Sequence, residues 1–93
     1  MKRVFILIPA FNEGNSIGKI ISDIIKTMRS KRESLEKIII IDDGSTDNTK
    51  LEALKFSKVA VYSHKVNLGL GAAVRSGLNI CKELNADLVV KID

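Results

Sequence analysis

The chain has 93 residues, 45% hydrophobic and 28% charged, with a formal net charge of +4, which bounds it to one globular domain burying roughly 60–65% of its unfolded surface. No stretch approaches the roughly 20 apolar residues of a membrane span, and the lone Cys81 excludes an intrachain disulfide or a cysteine-based metal site. The only aromatics are Phe5, Phe11, Phe56 and Tyr62, and no basic stripe interleaves them, which argues against nucleic acid as a partner.

Residues 3–8 are a continuous apolar run rich in β-branched side chains, which predicts a buried parallel strand. The run is too short for a signal peptide and leads into a polar turn, so a reducing, cytoplasmic setting is expected. Pro9 is expected to end the strand, because proline has no N–H for the ladder. In the loop Pro9-Ala10-Phe11-Asn12-Glu13, Asn12 and Gly14 are turn formers and Glu13 suits a helix N-terminus. Phe11 has two readings, a ring stacked on a planar base or one packed against a neighbouring loop.

From Ser16 the spacing changes. Ile17, Ile20, Ile21, Ile24, Ile25 and Met28 recur three and four apart, predicting a helix to about Arg29 with Asn15 or Ser16 as N-cap. Lys26, Arg29, Lys31, Arg32 and Lys37 gather around its end, diluted by Glu33 and Glu36. They read as a solvated helix end or as an attraction for anionic lipid headgroups.

Residues 36–42 form the second predicted strand, and Asp42-Asp43-Gly44-Ser45-Thr46-Asp47 follows it. Side chains alternate along a strand, so Ile41 and Asp43 share one side and Asp42 points to the other. One acid then faces a ligand at the rim while its neighbour ties down the turn. A carboxylate there would accept N–H donors such as those of uracil or guanine. The alternative needs no ligand: Asp43, Ser45 and Asp47 form an Asx-type turn and a helix cap.

Asp47-Asn48-Thr49 opens a second helix with Leu51 and Leu54 expected inward, and residues 59–62 a weaker third strand. In the loop 63–69, His64 has no second histidine and no visible relay, and reads as a surface residue. Asn67-Leu68-Gly69-Leu70-Gly71 has the look of a phosphate-cradling loop at a helix N-terminus. Yet Val74 stands where a dinucleotide fingerprint needs glycine, and no Gly-Lys-Ser/Thr follows. A structural turn is favoured, with Arg75 pairing with a nearby acid. Residues 70–84 form the third helix, with Val74, Leu78, Cys81 and Leu84 inward and Ala72, Ala73 and Gly77 allowing close approach to the sheet.

Residues 87–93 form the fourth strand, expected to be an unprotected edge. It carries Asp93 to the edge where ligands bind in open α/β sheets. Oxygen ligands there suit Mg²⁺ or Mn²⁺, completed by diphosphate oxygens. The order β-α-β-α-β-α-β predicts a three-layer α/β/α fold with a parallel sheet, one unit over residues 1–93.

Taken in order, Pro9–Glu13, Ile41-Asp42-Asp43-Gly44-Ser45-Thr46-Asp47-Asn48-Thr49, the stretch from Asn67 to Gly77, and Ile92-Asp93 resemble the start of a glycosyltransferase family 2 enzyme. The similarity is to the dolichol-phosphate mannosyltransferase and polyprenyl-phosphate glycosyltransferase branch. It implies the Rossmann-like N-terminal half of a GT-A fold, cut at the family's Asp-x-Asp motif. It further implies an inverting, metal-dependent transfer from a GDP- or UDP-linked sugar, with a polyprenyl phosphate at a membrane surface as the acceptor. By this resemblance Pro9, Phe11 and Glu13 border the nucleotide sugar, and Ile41 and Asp43 contact its base. Asp93 matches the first acid of Asp-x-Asp, which holds Mg²⁺ or Mn²⁺ and the diphosphate. Phe11 stands where tyrosine is common, so stacking survives and a hydroxyl contact does not. The catalytic carboxylate is expected beyond Asp93, so the chain alone is expected to be inactive. An isolated nucleotide-binding module or inactive remnant is the competing reading. A phosphoacceptor receiver is disfavoured, because its acids follow strands one and three.

Overall fold

A computed structural model describes residues 2–93. Four strands, β1 (Val4–Ala10), β2 (Leu35–Asp43), β3 (Val59–His64) and β4 (Leu88–Lys91), alternate with three helices, α1 (Ile17–Ser30), α2 (Thr49–Ala53) and α3 (Leu70–Glu83). The sheet runs in the order β3-β2-β1-β4 and every pairing is parallel. The α/β class and strand order along the chain are therefore as the apolar runs predict.

The central strands explain their own composition. Ile6, Ile8, Ile38 and Ile40 meet Ile17 and Ile21 of α1 and Ala53 of α2 on one face. Phe5, Leu7, Ile39 and Ile41 meet Ala73 and Cys81 of α3 on the other. Both faces are dry, so no alternation with polar residues survives in β1 or β2. Each such side chain contributes about 1.5–3 kcal/mol on burial. On the α3 face the fit is close. A Cβ built on Gly77 would lie 2.2 Å from Leu7 Cδ1, so any larger residue forces Leu7 or the helix to shift.

Several boundaries differ from expectation. Pro9 does not end β1, which continues through Ala10 with Pro9 paired to Ile41. Leu7 turns its carbonyl toward β4, accepting from Ile92 N–H at 2.9 Å. Pro9, two residues on, turns its ring nitrogen the same way, past the last ladder partner, Lys91, where no donor is needed. β3 runs two residues further than predicted, to His64, and β4 stops at Lys91, before Asp93.

Three leucines expected inward are exposed: Leu51, Leu54 and Leu78. α2 has only five residues and seats Thr49 and Ala53 against the core instead. α3 turns its smallest side chains to the sheet, burying Ala73, Gly77 and Cys81. Ser16 stands at the N-cap of α1 but makes no side-chain cap. The Glu13 carbonyl accepts from both Ser16 and Ile17 N–H and closes the first turn in its place. Among the described residues no helix is long and apolar enough to cross a membrane.

Candidate functional site

The loops after β1, β2 and β3 meet at the C-terminal edge of the sheet, and the middle one joins the other two. Asp42 serves its own turn, its Oδ1 accepting from Ser45 N–H at 3.1 Å. Ser45 Oγ accepts from Asn12 N–H at 2.8 Å, and Asn12 Oδ1 accepts from Thr46 N–H at 2.9 Å. Thr49 Oγ1 accepts from Glu13 N–H at 2.9 Å and donates to Asp47 Oδ1. Asp47 Oδ2 accepts from Gly14 N–H at 3.0 Å. The hydroxyl bond from Thr49 is the main cause that holds the Asp47 carboxyl below its usual range. The run from Ser45 to Thr49 is thus a splint for the first loop. Thr49, fully buried, is polar because its hydroxyl has both a backbone donor, Glu13 N–H, and a carboxylate acceptor, Asp47, beside it.

Asp43 points to the other face, toward α3, as the alternation along β2 requires. Its Oδ1 accepts from His64 Nδ1 at 2.7 Å and from Leu68 N–H at 2.9 Å. Its Oδ2 accepts from Gly69 N–H at 2.8 Å and from Asn67 Nδ2 at 3.2 Å. Burial works to raise this carboxyl, but the bonds from His64, Leu68 and Gly69 outweigh it and hold it below its usual range. The Asx turn belongs to Asp47, whose Oδ1 accepts from Thr49 N–H two residues on at 3.0 Å; Asp42 closes the turn three residues on, and Asp43 anchors the third loop.

His64 is not the surface residue it was expected to be. It pairs with Asp43 in the β2–β3 register, and its Nε2 lies 2.8 Å from Ser76 Oγ on α3. The relay Asp43–His64–Ser76 ties strand, strand and helix together. Gly44 completes the junction with φ +76, and a Cβ there would lie 2.4 Å from the backbone of Val66 and Asn67. Arg75, expected to pair with an acid, makes no ion pair among the described residues.

Between the first and third loops lies an open pocket of about 310 Å³. Pro9, Phe11, Glu13 and Asp43 all line it. Phe11 is 46% exposed, so its ring is not core packing. Ala10, Asn67, Gly69, Leu70 and Ala73 complete the wall. Of these, Asn67 and Gly69 belong to the loop that has the look of a phosphate cradle and is read as a structural turn, and the signal that marks them as pocket residues is their place beside Asp43. Ile41 does not line the pocket and is buried on the same face of β2. Asp93 does not line it either. It is exposed beyond β4, its Oδ1 2.6 Å from Lys91 Nζ. Among the described residues no three His, Cys, Asp or Glu side chains gather to hold a metal.

The family description Glycosyl transferase family 2 matches residues 5–91. A UDP-N-acetylglucosamine–dolichyl-phosphate N-acetylglucosaminyltransferase of Methanococcus voltae is 32% identical over 108 aligned positions, covering 99% of this chain and 41% of the relative. Glucosyl-3-phosphoglycerate synthase of Mycobacterium tuberculosis, solved with Mn²⁺, UDP and glucosyl-3-phosphoglycerate, is 28% identical with a TM-score of 0.73. That alignment covers 99% of this chain and 33% of the synthase. A mannosyltransferase of Pyrobaculum calidifontis, solved with GDP-Man and Mn²⁺, shares the fold at 21% identity, with a TM-score of 0.70 over 84% of this chain and 24% of its own. The chain therefore spans about a quarter to two-fifths of the length of these proteins.

Proposed function

The chain belongs to glycosyltransferase family 2 and has the N-terminal part of a GT-A fold, and from that premise we propose that its pocket binds the nucleoside diphosphate of a nucleotide sugar. It is then the donor side of an inverting, metal-dependent transferase. One observation carries this reading: Pro9, Phe11, Glu13 and Asp43, from two separate loops, converge on one pocket at the C-terminal edge of a parallel sheet. Phe11 offers its exposed ring to the face of a base. Asp43 offers a carboxylate to its N–H edge. Ile41 supports Asp43 from the core side, and Pro9 and Glu13 border the sugar nucleotide.

When bound, a divalent cation such as Mg²⁺ or Mn²⁺ neutralises the diphosphate as it leaves. This chain's residues fit such an ion as a single-acid contribution. Asp93 would hold it by one carboxylate after releasing Lys91 Nζ, which matches the habit of Mg²⁺ to take one or two carboxylates plus phosphate oxygens. The dolichyl-phosphate relative supports a polyprenyl phosphate as the acceptor; such a lipid would be reached at a membrane surface.

Calorimetric titration of the 93-residue chain with UDP and GDP, with Mn²⁺ or with chelator, tests the reading. Binding that weakens with chelator and with Phe11→Ala is expected. Binding indifferent to both Phe11→Ala and Asp43→Ala would place the nucleotide elsewhere.

A further inference from the structure

The hydrogen bonds at Asp43 bear on which base the pocket takes. An ionised carboxylate has about four acceptor positions, and all four at Asp43 are filled. Two of the donors are backbone N–H groups, Leu68 to Oδ1 and Gly69 to Oδ2, and Gly69 is fixed at the start of α3. The third, His64 Nδ1 on Oδ1, cannot swing away without losing its contact with Ser76 Oγ. The fourth differs. Asn67 is an exposed residue in the pocket wall, and its Nδ2 is shared between Oδ2 at 3.2 Å and the Asp43 carbonyl at 3.1 Å. It is the longest bond of the set and the easiest to displace. Oδ2 can therefore release one position and Oδ1 none.

We propose that the pocket selects a base with a single imide N–H, uracil over guanine, and that Asn67 is the side chain this base displaces. The inference rests on the nucleotide-binding reading above. Uracil presents one donor, N3–H, which fits the one releasable position. Guanine presents two, N1–H and an N2 hydrogen, side by side. With Oδ1 filled, its second donor is desolvated against an oxygen already bonded to His64 and Leu68, and an unpaired buried donor is costly. Cytosine has no hydrogen at N3 but carries an N4 amino donor beside it, which a carboxylate can accept, so the selection is between uracil and guanine.

The test is titration calorimetry of UDP, GDP and CDP against the chain and two variants, with folding checked by circular dichroism and thermal melting. UDP is expected to bind roughly ten- to a hundredfold more tightly than GDP, the scale of one hydrogen bond to a charged group. Asn67→Ala is expected to tighten UDP several-fold and leave the GDP deficit in place. His64→Ala, which empties a position on Oδ1, is expected to narrow the UDP-to-GDP ratio, a change that mere loosening of the fold would not produce. If that variant does not fold, the ratio in the unaltered chain and in Asn67→Ala decides. Equal binding of UDP and GDP, tighter GDP, or weaker UDP binding by Asn67→Ala overturns the inference and leaves nucleotide binding standing. Binding of none of the three overturns both.

Discussion

The two ends of the sheet are built on different terms. At the C-terminal ends of the strands, side chains join one loop to the next, and the second loop holds both neighbours through Ser45, Asp47 and Thr49 on one side and Asp43 on the other. At the N-terminal ends the connections are mostly backbone bonds, such as Ile38 N–H to the Lys58 carbonyl, and exposed pairs, such as Arg3–Glu36 at 3.8 Å, with one side-chain bond, Asp87 Oδ2 accepting from Arg3 N–H at 2.7 Å. Left-handed positions occur at both ends. At the first, Gly44 sits against other backbone and Asn12 holds φ 51 in the loop after β1; at the second, Arg32 and Asn85 hold φ 56 and 62 just beyond α1 and α3. Where backbone lies against the Cβ position, as at Gly44, only glycine serves; on the exposed surface an arginine is tolerated. The end that carries the pocket is the end whose loops cannot move independently. The basic residues near the end of α1 lie at the opposite end from the pocket, so lipid attracted there would meet the far side of the domain.

The sharpest way to break this contrast is Gly44→Ala. Its Cβ meets backbone on both sides of the Val66–Asn67 peptide, which has no side chain to move aside. Left-handed strain and the clash together are expected to cost about 3–4 kcal/mol, read from urea denaturation. A loss below about 1 kcal/mol would show that the third loop is free to retreat.

Next come the two acids. Asp43→Ala strands the donors of His64, Leu68, Gly69 and Asn67, and is expected to cost about 2–3 kcal/mol of stability and to weaken nucleoside diphosphate binding roughly ten- to a hundredfold. Asp42→Ala loses the bond from Ser45 N–H and a long one from Ser63 Oγ. It is expected to cost about 1 kcal/mol and leave affinity within about twofold. Equal losses of affinity would dissolve the distinction between the two faces of β2.

Acid titration sharpens the same point. The Asp43 carboxyl is held below its ordinary 3.8 in the folded chain. The stability it contributes is therefore full above that value and lost as pH falls toward its folded pKa. Denaturant midpoints compared at pH 7 and across the acid range should fall less steeply for Asp43→Asn than for the unaltered chain. A parallel fall would assign the acid sensitivity to other carboxyls.

The smallest effect belongs to the open end. Arg32→Gly removes the left-handed penalty where no backbone crowds it, and is expected to stabilise by about 0.5 kcal/mol. Thermal melting checks the sign. Destabilisation would mean that Arg32 does more than end a helix.

The parallel sheet and α1 were legible because their signal is long and local: a run of apolar residues in β1 and β2, and a repeat of isoleucines in α1. The helix faces were less so. Leu78 has the right period, but size decided otherwise, since α3 sits close to the sheet through Ala73, Gly77 and Cys81; Leu54 lies past the end of the five-residue α2, which buries Thr49 and Ala53 instead. Four pocket residues were visible as loop motifs. The roles of Thr49 and His64 were hidden because their partners come from other strands or loops. For His64 the missing step was two residues of β3, which place it opposite Asp43 in register. Pro9 misled for the opposite reason, since its missing donor matters only on a side where the neighbouring strand continues.

Cys81 gives the molecule an internal clock. It is buried between α3 and the face built by Phe5, Leu7, Ile39 and Ile41, and that burial lifts its thiol above the ordinary 9.0. An alkylating reagent reaches it only when α3 lifts from the sheet. The labelling rate then reports how often the helix undocks, on which Ser76 and the first residues of the pocket wall depend. The chain thus carries its own timer for the breathing of the pocket wall.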